Sequence, residues 1–177
     1  MEKPHIESFT HCPVCGSGDF PLLPDQTRSC GSCGYHDFNN PIVAVAALII
    51  NDKNQMLMIR RGKDPRKGFL AMPGGFVDVN ETVEHAVCRE IKEEIGLELS
   101  ELKYLCSHPN EYVYQHRIRP VCDIFFQARV SHDNVVLSAE EVASCEWVTV
   151  ASIRPEELAF ESMRYALKAL RDLSKVS

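Results

Sequence analysis

In the stretch "REIKEEIGL" (Arg89 to Leu97), three glutamates, Glu90, Glu93 and Glu94, fall at i, i+3 and i+4. On a helix that spacing puts three negative charges on one side of one turn, where like-charge pairs each cost roughly 0.2–0.5 kcal/mol. Val83, Val87, Ile91 and Ile95 recur every four residues through the same segment and form an apolar stripe. Glu90 and Glu94 lie at one border of that stripe and Glu93 beside them. A charge run is ordinarily a solvated face. Carboxylates pressed against a core edge instead need a cation or strongly raised pKa values. Hard divalent cations take oxygen ligands, and Mg²⁺ typically combines a few carboxylates with phosphate oxygens of a substrate.

Two further sets of residues have spacings that suit chemistry. "MPGGF" (Met72 to Phe76) precedes the helix, and its Gly-Gly pair lets backbone approach a ligand closely, although most such pairs are only turns. Cys12, Cys15, Cys30 and Cys33 form two C-x-x-C hooks separated by fourteen residues, inside the related segments "CPVCGSGDF" and "CGSCGYHDF". Four thiolates in two hooks suit tetrahedral zinc, and a complete set of four protein ligands indicates a structural rather than a catalytic ion. A redox C-x-x-C pair is the rival, but the βαβ context it needs is missing. Cys88, Cys106, Cys122 and Cys145 are scattered and read as buried small hydrophobes, not as a disulfide framework.

These residues need elements to position them. Residues 1–40 are rich in Gly, Pro, Ser, Cys and Asp and cannot build a core without a staple. Composition changes abruptly at Asn39–Pro41, which sets the expected domains at 1–40 and 41–177. Ile42–Ile50 and Gln55–Arg60 read as strands around the turn "NDKN", followed by a loop over Gly62–Gly68. Phe69–Val77 reads as extended. The glutamate helix is predicted over Glu81–Ile95, with Asn80 as N-cap and Gly96 as stop. Leu99–Ser107, Glu111–Gln115, Val121–Val130 and Cys145–Val150 read as strands. A last helix over Ser162–Leu173 packs through Met163, Ala166, Leu167, Leu170 and Leu173. The class is α+β or a mixed α/β layer.

"GFVDVNETVEHAVCREIKEEIGL" (Gly75 to Leu97) matches the Nudix box, G-x5-E-x7-R-E-U-x-E-E-x-G-U with U aliphatic, at Gly75, Glu81, Arg89, Glu90, Ile91, Glu93, Glu94, Gly96 and Leu97. The chain from residue 41 onward thus resembles the Nudix hydrolases. The resemblance implies an α+β Nudix fold, a mixed sheet sandwiched between helices, preceded here by a small zinc ribbon. It further implies hydrolysis of nucleoside diphosphates linked to another group. Carried onto these positions, it makes Glu90, Glu93 and Glu94 ligands of a catalytic Mg²⁺ or Mn²⁺, with the carbonyl of Gly74 as an additional ligand. Arg89 orients the carboxylates, and Glu81 supports the loop or a second metal. Members often use another acid a few residues before a tryptophan; "EEVASCEW" (Glu140 to Trp147) offers Glu141, with Glu140 and Glu146 nearby. Metal ions neutralise the repulsion between a diphosphate and hydroxide and lower the pKa of bound water. A carboxylate then takes the proton, and Glu90 and Glu141 are the alternatives for that base.

A zinc ribbon ahead of a Nudix domain resembles the NAD(H) pyrophosphatase family, whose signature S-Q-P-W-P-F-P-x-S follows the box. Here the corresponding stretch is "SHPNEYVY" (Ser107 to Tyr114), which keeps Ser107 and Pro109 but not Trp-Pro-Phe-Pro. Tyr112 and Tyr114, alternating on a strand, either stack a base or form a cross-strand aromatic pair. Between Lys53 and Lys67, six basic residues (Lys53, Arg60, Arg61, Lys63, Arg66, Lys67) face one acid, Asp64. They either hold substrate phosphates, with Arg60 foremost, or are solvated. Arg117 and Arg119 are similar, lesser candidates.

Net charge is −6, and Lys3 and Arg28 are the only Lys or Arg residues in residues 1–40. That disfavours nucleic acid as a partner. The longest apolar run is nine residues, too short for a bilayer. "MEKPHIESFTH" has no apolar core of a signal peptide, so a cytoplasmic location is expected. The expected substrate is a nucleotide such as NADH, ADP-ribose or a nucleotide sugar. A homodimer is compatible with the sequence. The competing class is a nucleotide-sensing module whose ribbon contacts a partner or nucleic acid, and the intact box favours the enzyme.

Overall fold

The computed structural model describes residues 3–130 and 134–175. By contacts the chain divides into two compact units: residues 1–42 with 111–121, and residues 43–110 with 122–177.

In the first unit, β1 (Lys3–Pro4) leads into a short 3-10 turn, His5–Ser8. β2 (Arg28–Ser29) pairs antiparallel with β3 (His36–Asp37). So small a unit has little to bury. Cys12, Phe20 and Cys30 form its core, with Phe9 and Tyr35 packed against them. Arg28 is buried, and its guanidinium donates to the carbonyls of Ile6 (3.0 Å) and Phe20 (2.6 Å). It therefore serves as an internal tie rather than as a surface charge.

The second unit contains β4 (Ile42–Ile50, from Val43), β5 (Gln55–Arg61), β6 (Leu70–Ala71), β7 (Gly74–Phe76), α1 (Val83–Ile95), β10 (Val142–Thr149) and α2 (Glu161–Leu173). β8 (Leu99–Tyr114) and β9 (Arg117–Val130) form a long hairpin whose tip, residues 111–121, belongs to the first unit. The sheet path runs β1-β9-β4-β5-β10, with β6 on β5, β7 on β4 and β8 on β9. β1 joins β9 in parallel at Arg117 and Ile118, while β10 meets β5 antiparallel, so the sheet is mixed. With two helices this is the expected α+β class.

Consecutive buried residues, Val45–Ile50 in β4 and Met56–Ile59 in β5, show that both sheet faces are covered there. β4 has the predicted bounds, and β5 starts as predicted and runs one residue further, to Arg61. Elsewhere local chemistry moved the boundaries. Asn80 is not the N-cap of α1: it sits at φ 65°, two residues too early. Thr82 caps the helix, its hydroxyl accepting from the His85 N–H at 3.2 Å. Gly96 ends the helix as expected, in the left-handed region at φ 70°. β8 runs unbroken through Pro109, where two separate strands were predicted.

Two packing expectations also need correction. None of the four scattered cysteines is buried: Cys88 is exposed, and Cys106, Cys122 and Cys145 are half-buried. In α2, Met163, Ala166, Leu167 and Leu170 are buried, but Leu173, in the last turn, is 54% exposed.

Candidate functional site

Glycine stereochemistry sets up the glutamate site. β7 pairs with β4 so that Gly74 lies opposite Ala46 and Gly75 opposite Val45. Gly74 has φ +148°, and a Cβ there would lie 2.1 Å from the Val45 carbonyl oxygen, so the position admits no side chain. Its N–H donates to Oε2 of Glu94 at 2.9 Å. At Gly75 a Cβ would meet the Glu90 carboxyl carbon at 2.4 Å. The two glycines thus bring a strand edge into direct contact with two helix carboxylates.

Arg89 organises the rest. Its Nε and Nη2 bond Glu81 bidentately (2.9 and 2.8 Å), Nη1 reaches Glu90 (2.9 Å) and Glu93 (3.1 Å), and Nη2 also donates to the Phe76 carbonyl at 3.1 Å. All five N–H donors of the guanidinium are therefore used. Glu81 precedes the helix instead of opening it, and its carboxylate also accepts from the Asp78 N–H at 3.1 Å.

The carboxylates differ in environment as well as in partners. Hydrogen bonds from Arg89 draw Glu81 down to about 2. Burial pushes Glu94 up to about 7, against the Gly74 N–H, and the charges of Glu90 and Glu141 push in the same direction. Burial also raises Glu90, with Arg89 opposing. Glu94 is buried and Glu93 exposed. The helix therefore carries one charge-averse carboxylate inside, one intermediate, and one at the surface. An oxygen-preferring cation would relieve that arrangement.

Around the four cysteines the sequence repeat is a structural repeat. Gly16 N–H donates to Cys12 O and Gly34 N–H to Cys30 O, both at 2.9 Å. Cys12 N–H donates to Ser17 O (2.9 Å) and Cys30 N–H to Tyr35 O (2.8 Å). Gly16 and Gly34 have φ 73° and 78°, so the two knuckles turn alike. The four sulfurs lie within 4.8 Å of one another, with Cys12 and Cys33 at 3.7 Å and Cys15 and Cys30 at 3.6 Å. A tetrahedral ion with sulfur at about 2.3 Å implies S···S of roughly 3.8 Å, so the donor set fits a small zinc ribbon. Burial opposes ionisation of Cys12, yet the N–H groups of Cys15 and Val14 bring it down to about 7. Among the described residues this is the one group of three or more metal-ligating side chains gathered so closely.

Residues 40–170 match the NUDIX domain. The chain belongs to the Nudix family. A NAD-capped RNA hydrolase NudC of Deinococcus radiodurans is 29% identical over 172 residues, 90% of this chain and 56% of that protein. An ADP-ribose pyrophosphatase of Methanocaldococcus jannaschii is 54% identical over 63 residues, 36% of this chain and 37% of its own. This chain spans about half the length of the NudC relatives it matches. Among solved structures, the MutT NUDIX hydrolase from Burkholderia pseudomallei aligns with TM-score 0.64 at 27% identity, covering 73% of this chain and 98% of that one. A NUDIX hydrolase from Nitrosomonas europaea aligns with TM-score 0.65 at 20% identity over 90% of this chain and 89% of that one, a likeness of fold.

The remaining residues singled out in the Nudix chain fall in different places. Glu141 bonds to Lys63 and bears electrostatically on Glu90 and Glu94. Arg60 donates to the Gly68 carbonyl at 2.8 Å and lies 3.9 Å from Glu146. Its neighbour Arg61, on the opposite strand face, is the basic residue whose charge acts on Glu94. Arg61 Nε donates to Pro65 O at 2.8 Å, and its guanidinium lies 5.2 Å from the Phe160 ring centre. Tyr112, half-buried, and Tyr114, 54% exposed, are in the hairpin tip of the first unit. No helix among the described residues is long and apolar enough to cross a membrane.

Proposed function

We propose that this protein is a Mg²⁺- or Mn²⁺-dependent pyrophosphohydrolase that cleaves the diphosphate linkage of a nucleoside diphosphate derivative, with NADH and ADP-ribose as the leading substrates. One observation carries the reading: Arg89 directs four of its five hydrogen bonds to the carboxylates of Glu81, Glu90 and Glu93, while Glu94 is buried on the Gly74 N–H. A salt-bridged surface helix has no reason to bury a carboxylate that burial itself keeps reluctant to ionise. The names of the relatives, an ADP-ribose pyrophosphatase and NAD-capped RNA hydrolases, support an adenosine diphosphate moiety in the substrate.

Glu90, Glu93 and Glu94, with the carbonyl of Gly74, would hold the divalent cation. The ion, when bound, supplies charge neutralisation at the diphosphate and a water acidified for attack. The chain's own groups then do the following work. Arg89 keeps Glu90 and Glu93 in fixed orientation, so that no reorganisation is needed on binding. Glu141 would accept the water proton, with Glu90 and Glu140 as alternatives. Arg61 offers positive charge on the same side as Glu94. Cys12, Cys15, Cys30 and Cys33 would hold a structural zinc, leaving no position open for chemistry. Residues 1–40 and 41–177 are the proposed ribbon and hydrolase portions.

The test is a hydrolysis panel with Mg²⁺ and with Mn²⁺: NADH, ADP-ribose, FAD, diadenosine polyphosphates, coenzyme A and nucleoside triphosphates, with products identified. Release of AMP from NADH or ADP-ribose is the expected outcome. No turnover of any substrate with either ion would overturn the reading.

A further inference from the structure

The β8–β9 hairpin turns through two residues, Gln115 and His116, both in the left-handed region at φ 48° and 62°. A two-residue turn of that conformation sets the register of the strands it joins. Tyr114 therefore lies opposite Arg117, and Tyr112 opposite Arg119. Side chains alternate along a strand, so these four residues share one face of the hairpin while Val113 and Ile118 take the other. The residue directly across from each tyrosine is thus an arginine, not an aromatic one. Tyr114 is 54% exposed, and Tyr112, Arg117 and Arg119 are half-buried. Among the described residues no acid is paired with either guanidinium. β1 runs beside β9 in parallel with Lys3 opposite Arg117, so His5 follows next to Arg119. Burial, then the charges of Arg119 and Arg117, hold the His5 imidazole below its usual pKa, with Asp37 opposing. Residues 1–40 have only Lys3 and the buried Arg28 as Lys or Arg residues, a poor phosphate footprint. The first unit also contains residues 111–121, which bring it two cations and two rings on one face.

We propose that this face of the hairpin tip binds the interior of a single-stranded nucleic acid, with bases stacked on Tyr112 and Tyr114 and the intervening phosphates held by Arg117 and Arg119. Two positions along an antiparallel strand span about 6.8 Å, which suits bases drawn apart rather than those of a duplex, about 3.4 Å apart. Recognition by stacking is tolerant of sequence, because every base has a π-face. The face needs no divalent cation and stands whether or not the hydrolase reading does.

The test is fluorescence anisotropy of the full chain with a labelled single-stranded RNA of about ten nucleotides. The strand ends in a 5′-hydroxyl, so it offers the glutamate site no diphosphate, and divalent cations are omitted. A dissociation constant of about 1–100 µM is expected at about 100 mM salt. Tyr114→Ala should weaken binding about tenfold, and Tyr114→Phe, which keeps the ring, should not. Two phosphate contacts to a single strand give a slope of log K against log salt of about −1.4. Arg119→Ala should reduce that slope to about −0.7, Arg119→Lys should keep it, and Tyr114→Ala should leave it unchanged. The same sequence as a duplex should bind at least about tenfold more weakly, since its bases are already stacked. No binding of the single strand at about 100 µM protein would overturn the proposal. So would equal binding of the duplex, or full binding by Tyr114→Ala. Displacement of the strand by an equal concentration of ADP-ribose would also overturn it, by assigning the face to the base of the substrate. Turnover of the substrate panel is measured separately, and its absence removes the hydrolase reading without touching this one.

Discussion

Replacing Glu94 by Gln should stabilise the protein while abolishing its activity. Gln has nearly the same shape and keeps an oxygen to accept the Gly74 N–H now bonded at 2.9 Å. Only the charge is removed. In the native protein burial holds Glu94 at about 7, against 4.5 for an exposed glutamate. Below about pH 4.5 the carboxyl is protonated in both the folded and unfolded chains and contributes nothing to pH dependence. As pH rises from 4.5 to 7 the unfolded chain gives up its proton while the native chain retains it, so stability falls. Above about pH 7 the full penalty is in force, on the order of 3 kcal/mol at about 1.4 kcal/mol per pKa unit. The assay is urea unfolding followed through Trp147, the single tryptophan, located in β10. Buffers should lack Mg²⁺ and Mn²⁺ but contain no chelator, so that any ion held by the cysteines stays in place. At pH 8 Glu94→Gln should raise the urea midpoint by about 1–2 M, for a slope of about 2 kcal/mol per molar. At pH 4.5 the two proteins should coincide. Added Mg²⁺ should stabilise the parent at pH 8 and not the variant. If Glu94→Gln is no more stable than the parent at pH 8, or retains full activity with saturating Mg²⁺, the reasoning is wrong.

Gly75→Ala places a methyl at 2.4 Å from the Glu90 carboxyl carbon, so kcat should drop at least about tenfold with Tm changed by only a few degrees, whereas Gly74→Ala, clashing with strand backbone, should compromise folding itself. Arg89→Lys leaves three donors where five are used, and should lose activity nearly as fully as Arg89→Ala, measured by kcat/KM with saturating metal. Elemental analysis should find one zinc per chain. Cys30→Ser, at a buried ligand, should release it and remove the ordered NMR resonances of residues 12–38.

The helix, its glutamates and the cysteine hooks were legible in the sequence because each rests on a short-range rule: a period of four, a fixed residue spacing, a glycine where no side chain fits. Gly96 as helix stop belongs with these. Thr82 in place of Asn80 shows how far that reach extends, since both are good caps and the choice depends on where the preceding turn releases the chain. What escaped the sequence depends on pairing between distant strands. Arg60 and Arg61 are adjacent and identical, and only the opposite strand faces they occupy separate them: Arg60 bonds the Gly68 carbonyl, and the charge of Arg61 acts on Glu94. Lys63 and Glu141 are brought together by the β5–β10 register. The buried Asp123, which accepts from Asn110 (2.9 Å) and from Ser162 at the start of α2, gives no local sign of its burial.

The pairing of residues 3–4 with residues 117–118 affects how the chain is made. The cysteine knuckles are translated before the Nudix box, and their four thiols are together available to an ion once Cys33 has left the ribosome. The compact unit they belong to also draws on residues 111–121, which emerge only after the whole Nudix box. The N-terminal segment therefore begins folding early and is completed late, and in between β1 waits for a strand not yet synthesised. An ion on the four cysteines would suit that wait, because it would supplement a core of only Cys12, Phe20 and Cys30, with Phe9 and Tyr35 against them.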